Sequence, residues 1–178
     1  MRAWTPWTLT CSSRSRWDRG TSTRWTRRAG GSGWTACCSP RRVTLDYGFI
    51  TGTLAEDGEP LDALVWLEEP TFPGCLVTVR PVAVFWMLDE GKPDAKVLTV
   101  VSHDLRMEGI QDLEDVPAFM TAEIGHFFDI YKELEPHKST DVRGWMDRAE
   151  AERVIEEARL AREARASLVP SGAVPAPR

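Results

Sequence analysis

The hexapeptide Asp57-Gly58-Glu59-Pro60-Leu61-Asp62 sets three carboxylates close together, with Tyr47-Gly48-Phe49-Ile50 before it and Asp89-Glu90 and Asp94-Ala95-Lys96 after it. Singly these stretches have plain readings: Asp57-Gly58 is a turn signal, and Asp89-Glu90-Gly91 with Lys92-Pro93-Asp94 has the composition of a hairpin. Together, on segments that otherwise read as buried strand, they suggest a carboxylate cage. In an extended chain Asp57 and Glu59 would point to one side, as would Asp94 and Lys96. Oxygen donors with no Cys or His beside them suit Mg2+ or Mn2+ rather than zinc. Carboxylates gathered in this way need compensating cations to stay ionised, and a lysine next to them would offer phosphate a point charge.

The elements that must position these groups follow from pattern. Residues 75–87 and 96–101 are strand-like, with turn residues between them. A helix is expected over 117–134, begun by Pro117 and carrying Phe119, Met120, Ile124, Phe127, Phe128, Tyr131 and Leu134 at helical spacing; His126 on this stripe reads as a core histidine. A second helix is expected over 147–165, with Ala149, Val154, Ile155, Ala158 and Leu160 on its apolar side. The tail from residue 166, rich in Ala, Pro and Ser, reads as disordered. Such a pattern favours a small β-barrel with helices packed outside it. The 178 residues allow one domain with a sizeable core. No apolar run approaches the roughly 20 residues needed to span a bilayer, and the opening residues lack the apolar block of a signal peptide. Cysteines 11, 37, 38 and 75 have no metal-ligand spacing, so a cytoplasmic protein with reduced thiols is expected.

Three runs resemble a known family. Asp46 to Asp62 is one; Arg80-Pro81-Val82 through Asp89-Glu90 to Asp94-Ala95-Lys96 is the second; His126-Phe127-Phe128 through Tyr131-Lys132-Glu133-Leu134-Glu135 to Gly144-Trp145 is the third. In this order and spacing they are similar to the soluble family I inorganic pyrophosphatases, over roughly residues 45–160. The resemblance implies an OB-like five-stranded β-barrel flanked by two helices, Mg2+-dependent hydrolysis of inorganic diphosphate to two phosphates, and a homohexamer. It implies that Asp57, Asp62, Asp89 and Asp94 hold several Mg2+ ions, with Mn2+ able to substitute. Glu59, where the family usually has aspartate, would lie next to the nucleophilic water, and Asp94 would also serve as a proton acceptor. Tyr47, Lys96, Tyr131 and Lys132 would contact phosphate oxygens. Such metals acidify a bound water, orient it in line and neutralise the leaving phosphate. The longer Glu59 moves its carboxylate by about one C–C bond, and a misplacement on the order of 1 Å can cost about 100-fold in rate.

The formal charge of −5 conceals two unlike regions, because residues 1–42 carry nine Arg and one Asp with no Lys or Glu. That segment also holds five of the eight Trp and three of the four Cys, and it has no Ile, Val, Phe or Tyr, hence no expected β pattern. The family normally has strands there bearing a catalytic Lys, Glu and Arg. We read the segment as encoded in the wrong frame. When codons are taken from the third base of one residue and the first two of the next, Trp25-Thr26 must give Asp, Trp34-Thr35 must give Asp, and Cys37-Cys38 must give Leu. These fall at the separations of the family pattern Asn-Lys-Tyr-Glu-Val-Asp followed by Arg-Leu-Asp-Arg-x-Leu. The Lys would be spelled across Thr21-Ser22, the Glu across Thr23-Arg24 and the Arg across Thr35-Ala36, and the frame would return near Val43-Thr44. Residues 1–43 are therefore expected to be an aberrant segment without native structure, residues 44–165 the pyrophosphatase domain with its barrel incomplete at the N-terminal strands, and residues 166–178 a disordered tail.

Two other functions compete with this one. An arm with nine Arg and five Trp could attract nucleic acid through phosphate charge and stacking. Its composition reads better as a by-product of out-of-frame codons, so nucleic acid is not an expected partner. A chain that keeps the metal cage as an inactive remnant, or for another phosphoanhydride, is the second; no glycine-rich nucleotide loop supports it.

Overall fold

Glu90 and Gly91 both take positive φ, 51° and 80°, and join two strands as a two-residue turn. Positive φ at both central positions is the type I′ geometry, whose twist matches that of the strands it connects. The turn expected across residues 88–95 is thus confined to two of them, so Asp89 ends one strand and Pro93 and Asp94 lie within the next. The protein is described by a computed structural model over residues 44–69, 71–72, 74–130 and 140–168, together with the backbone of 7–11, 25–27 and 34–36. In chain order the described strands are β1 (Trp7–Cys11), β2 (Trp25–Arg27), β3 (Trp34–Ala36), β4 (Thr44–Ile50), β5 (Asp62–Leu67), β6 (Leu76–Asp89) and β7 (Lys92–Val101). Helix α1 (Ala118–Ile130), strand β8 (Thr140–Met146) and helix α2 (Arg148–Leu168) follow.

From residue 44 onward the sheet has five strands in the order β4-β5-β7-β6-β8, mixed in direction and not closed on itself. β5 and β7 are parallel and every other neighbouring pair is antiparallel. This bears out a mainly β fold with two helices. The backbone of β1 pairs with both β4 and β6 and so bridges the open sides of that sheet, while β2 and β3 pair only with each other. An absence of β structure had been expected for this arginine-rich segment.

Both faces of the sheet are buried, which is why its strands read as nearly continuous apolar runs rather than alternating ones. On one face Ala63, Val65, Val84 and Val97 pack against Ala151, Val154, Ile155 and Ala158 of α2. On the other, Leu64, Phe85, Met87 and Leu98 pack against Met120, Ile124 and Phe128 of α1. Burying each such large side chain stabilises by roughly 1.5–3 kcal/mol relative to exposure. The spacing in α2 is i, i+3, i+4, i+7, so Ala149 and Leu160, expected on this face, point to solvent instead. In α1 the buried line runs 120, 124, 128, and Phe119 and His126 are exposed rather than core. Residues 131–134, expected to continue that helix, lie outside the described residues.

Strand β8 was not legible in the sequence because a bulge breaks its alternation. Val142 pairs with Met87 and Gly144 with Trp86, leaving Arg143 as the extra residue, and Gly144 has φ +104°. Val142 and Trp145 consequently reach the same face from positions three apart. Asp147 caps α2 by accepting from the Glu150 N–H at 3.0 Å. The helix then runs through Leu168, three residues into the stretch expected to be a disordered tail; residues 169–178 lie outside the described residues. No described helix is long and apolar enough to cross a membrane.

Ile155 is fully buried between α2 and the sheet. Ile155→Ala is expected to lower stability by about 2–4 kcal/mol, through lost transfer energy and the cavity it leaves, as a fall in the urea midpoint at unchanged slope.

Candidate active site

Parallel pairing of β5 with β7 places Asp62 opposite Lys96. Two residues before Lys96, Asp94 shares its side of β7, as the alternation predicts. On β4, Phe49 is the partner of Asp62 and Tyr47 that of Leu64, which makes Tyr47 the diagonal neighbour of Asp62. Three strands therefore deliver four polar side chains to one spot.

Lys96 Nζ donates to Asp62 Oδ2 at 2.7 Å, to Asp94 Oδ1 and Oδ2 at 3.0 and 2.9 Å, and to the Tyr47 hydroxyl at 3.1 Å. Tyr47 in turn donates a short hydrogen bond to Asp62 Oδ2. Lys96 is only 3% exposed, whereas the Asp62 and Asp94 side chains keep 31% and 20% of their surface. The ammonium is thus the deep member of the group and the carboxylates face outward. Burial works against the charged lysine, but Tyr47, Asp62 and Asp94 outweigh it and hold Lys96 well above its ordinary pKa. Burial pushes the Asp94 carboxyl up, Lys96 pulls it partly back, and the Asp62 and Asp89 charges push it up again. The Tyr47 hydroxyl is raised, chiefly by burial.

The segment between β4 and β5 carries the remaining carboxylates. Thr53, 3% exposed, donates from its hydroxyl to the Ile50 carbonyl at 2.6 Å and accepts the Leu61 N–H at 2.9 Å, pinning both ends of the loop. The Leu54 N–H donates to the Ala158 carbonyl at 2.8 Å and so docks the loop on α2. Residues 56–59 form turns, with Gly58 at φ +90° and the Glu59 N–H donating to Asp57 Oδ1 at 2.9 Å. Asp57 and Glu59 are therefore not on an extended strand as the parity reading assumed, and both are exposed. The local reason is the Asp-Gly pair, whose side-chain-to-backbone bond and left-handed glycine favour a turn over an extended path.

Asp89 is half-buried at the end of β6, paired with Lys92 across the turn. Among the described residues no group of three or more His, Cys, Asp or Glu stands close enough to hold an ion. Of the carboxylates expected to form a cage, Asp62 and Asp94 meet, with the Lys96 ammonium between them; Asp57 lines the same pocket, and Asp89 is near enough for its charge to raise Asp94. Tyr131 and Lys132 lie outside the described residues. Beside the pair a pocket of about 260 Å³ runs between the sheet and α2, with Asp57, Asp62, Asp94 and Glu157 on its polar wall and Leu61 and Trp86 on its apolar wall. The chemistry of the donors, all of them oxygens, suits a hard divalent cation, and Lys96 stands between the two carboxylates that meet. Sequence reasoning missed Thr53 and Glu157. A lone loop threonine carries no signal, and Glu157 reaches the pocket only because α2 packs there.

The family model for inorganic pyrophosphatase matches residues 34–162. The chain belongs to the inorganic pyrophosphatase family. An inorganic pyrophosphatase of Streptomyces coelicolor is 53% identical over 111 residues, which are 62% of this chain and 68% of that protein. One of Corynebacterium efficiens is 50% identical over 117 residues, 66% of this chain and 73% of that protein. The crystal structure of an inorganic pyrophosphatase from Thermus thermophilus superposes with a TM-score of 0.69 at 36% identity, covering 88% of this chain and 90% of that one. Family membership makes the protein an inorganic diphosphatase, a hydrolase of a phosphoanhydride, and this pyrophosphatase family is generally metal-dependent.

Thr53→Val keeps the shape of the side chain but removes a hydroxyl that satisfies two backbone groups. It is expected to cost about 1–3 kcal/mol. Amide exchange should show the larger effect within residues 50–61, faster at Leu61 than in the β6–β7 hairpin.

Proposed function

We propose that this chain binds inorganic diphosphate and hydrolyses it to two phosphates with Mg2+, Mn2+ being able to substitute, and that the altered N-terminal segment slows the reaction. The observation that carries this reading is the meeting of Tyr47, Asp62, Asp94 and a buried Lys96 beside an open pocket. Bound there, the ions would acidify a water and neutralise charge on the leaving phosphate. Asp57, Asp62, Asp89 and Asp94 are the residues that would hold them. The exposed turn at Asp57 is the piece that has to approach the Asp62–Asp94 pair, and its anchors at Thr53 and Ala158 limit how far it can swing.

The chain's own groups divide the remaining work. Lys96, held charged by its neighbours, supplies a fixed positive point for a phosphate oxygen, and Tyr47 adds a hydroxyl donor. Tyr131 and Lys132 complete the phosphate contacts in this reading. Glu59 serves as base or water ligand, one methylene longer than the family's usual aspartate. Asp94 is the second proton acceptor, and its raised proton affinity suits that role. A homohexamer in the cytoplasm completes the proposal.

The N-terminal segment is where this chain departs from a working site. Lacking the Lys and Arg expected near positions 21 and 35, the site lacks two cationic contacts, each worth roughly 1.5–3 kcal/mol to a charged partner.

A frame-restored chain should exceed this one in kcat/KM for diphosphate by at least about 100-fold, the equivalent of two such contacts at the low end. Phosphate release with Mg2+, measured on both chains, checks this; equal turnover would remove the claim of impairment. Separately, Glu59→Asp in the present chain should raise kcat by about 10- to 100-fold with little change in KM, because it returns the carboxylate to its usual reach.

A further inference from the structure

Hydrogen bonds to the sheet are only part of what holds Lys96. Two aromatic rings also stand within cation–π range of Nζ: Tyr47 at 5.5 Å to the ring centroid and Phe128 at 5.4 Å. Phe128 is unlike the other partners. Tyr47, Asp62 and Asp94 come from β4, β5 and β7, whereas Phe128 comes from α1. It is 2% exposed and has little room to move. Phe85 stacks on it at 5.5 Å and 28°, and Phe127 meets it edge-on at 5.1 Å and 81°. Phe85 is itself the cross-strand partner of Lys96 in the β6–β7 register and packs on Trp145 at 5.2 Å. A braced aromatic cluster therefore touches the buried Lys96.

We propose that Phe128 is a positioning residue for Lys96, holding its ammonium toward the phosphate side of the site by cation–π contact from helix α1. The proposal rests on the diphosphatase reading and deepens it. Every hydrogen bond that Lys96 makes goes to a group with other work in that reading: Asp62 and Asp94 toward cations, Tyr47 toward phosphate. When those groups turn to their ligands, the lysine loses restraints and its flexible stem regains rotamers. The Phe128 ring carries no atom that ligates a hard cation or donates a hydrogen bond to phosphate. It keeps the ammonium in place in both circumstances, and it excludes the water that would otherwise solvate the charge and weaken its pull on an anion.

Three variants and two measurements decide this. Phe128→Leu keeps an apolar side chain and removes the ring face; Phe128→Tyr keeps the face; Ile124→Ala disturbs the same helix and the same core cluster without touching Lys96. Binding of imidodiphosphate in Mg2+ is followed by calorimetry, with thermal midpoints measured alongside. Phe128→Leu should weaken imidodiphosphate about tenfold and leave Mg2+ affinity unchanged, and Phe128→Tyr should restore the native value. Ile124→Ala should lower the thermal midpoint without weakening imidodiphosphate. Native-like binding in Phe128→Leu, or equal weakening in Ile124→Ala, would overturn the proposal. The second measurement needs no substrate. Ring currents should place the ε-methylene protons of Lys96 upfield of those of the exposed Lys92, and Phe128→Leu should return part of that shift. An unshifted Lys96 would overturn the proposal even if diphosphate is hydrolysed. If the native chain fails to bind imidodiphosphate, the diphosphatase reading falls, while the Lys96 shift still decides whether Phe128 holds the lysine.

Discussion

A lysine is buried in this sheet at 3% exposure, and the architecture around the site follows from keeping it charged. An isolated ammonium in so dry a position would lose its proton or be expelled to solvent. Here Asp62 and Asp94 lie within 2.9 Å of Nζ, and Tyr47 and Phe128 supply ring faces. Both carboxylates keep part of their surface toward solvent, and Lys96 in turn offsets part of the burial that raises Asp94. The result is a pre-formed positive point beneath a negatively charged mouth. Such a layout suits a ligand that is itself anionic and travels with divalent cations.

Holding that arrangement requires strands that cannot slip. A one-residue shift of β7 against β5 would carry Lys96 and Asp94 to the α2 face and leave Ala95 and Val97 in their place. The register is fixed from both sides: Leu98 packs toward α1 and Val97 toward α2, and the two-residue turn at Glu90-Gly91 sets β7 against β6. Thr99 adds a buried bond from its hydroxyl to the Leu64 carbonyl at 3.1 Å, across the same β5–β7 pair that carries Asp62 and Lys96. Another buried polar residue acts at a greater distance. Asp46 accepts the Thr71 N–H at 2.7 Å and its hydroxyl as well, tying the loop after β5 to the strand that carries Tyr47.

Much of this was legible in the sequence, for identifiable reasons. The strands β6 and β7 declared themselves through long apolar runs, and Asp94 and Lys96 shared a side because alternation is a property of any extended chain. Both helices showed the right period, although Ala149, Leu160, Phe119 and His126 were assigned to buried faces that packing leaves open. The failures have local causes. Asp57 and Glu59 lie in a turn because an Asp-Gly pair offers the backbone a competing hydrogen bond and a left-handed residue. β8 was hidden because its bulge at Arg143 moves Val142 and Trp145 out of a period of two.

Composition, order and spacing by themselves determined the family, the carboxylate-rich chemistry and the unlike composition of the first 42 residues, since each is a property of which residues follow which. Only tertiary structure decided which of those residues meet. Parallel pairing of β5 with β7 joins Asp62 to Lys96 across 34 positions, and α1 returns to lay Phe128 over the same ammonium. Contacts of such sequence separation depend on sheet order and helix docking, which local pattern does not encode. The physical reason is that local periodicity reports which face a side chain takes, while its neighbours on that face are chosen by how the whole core closes.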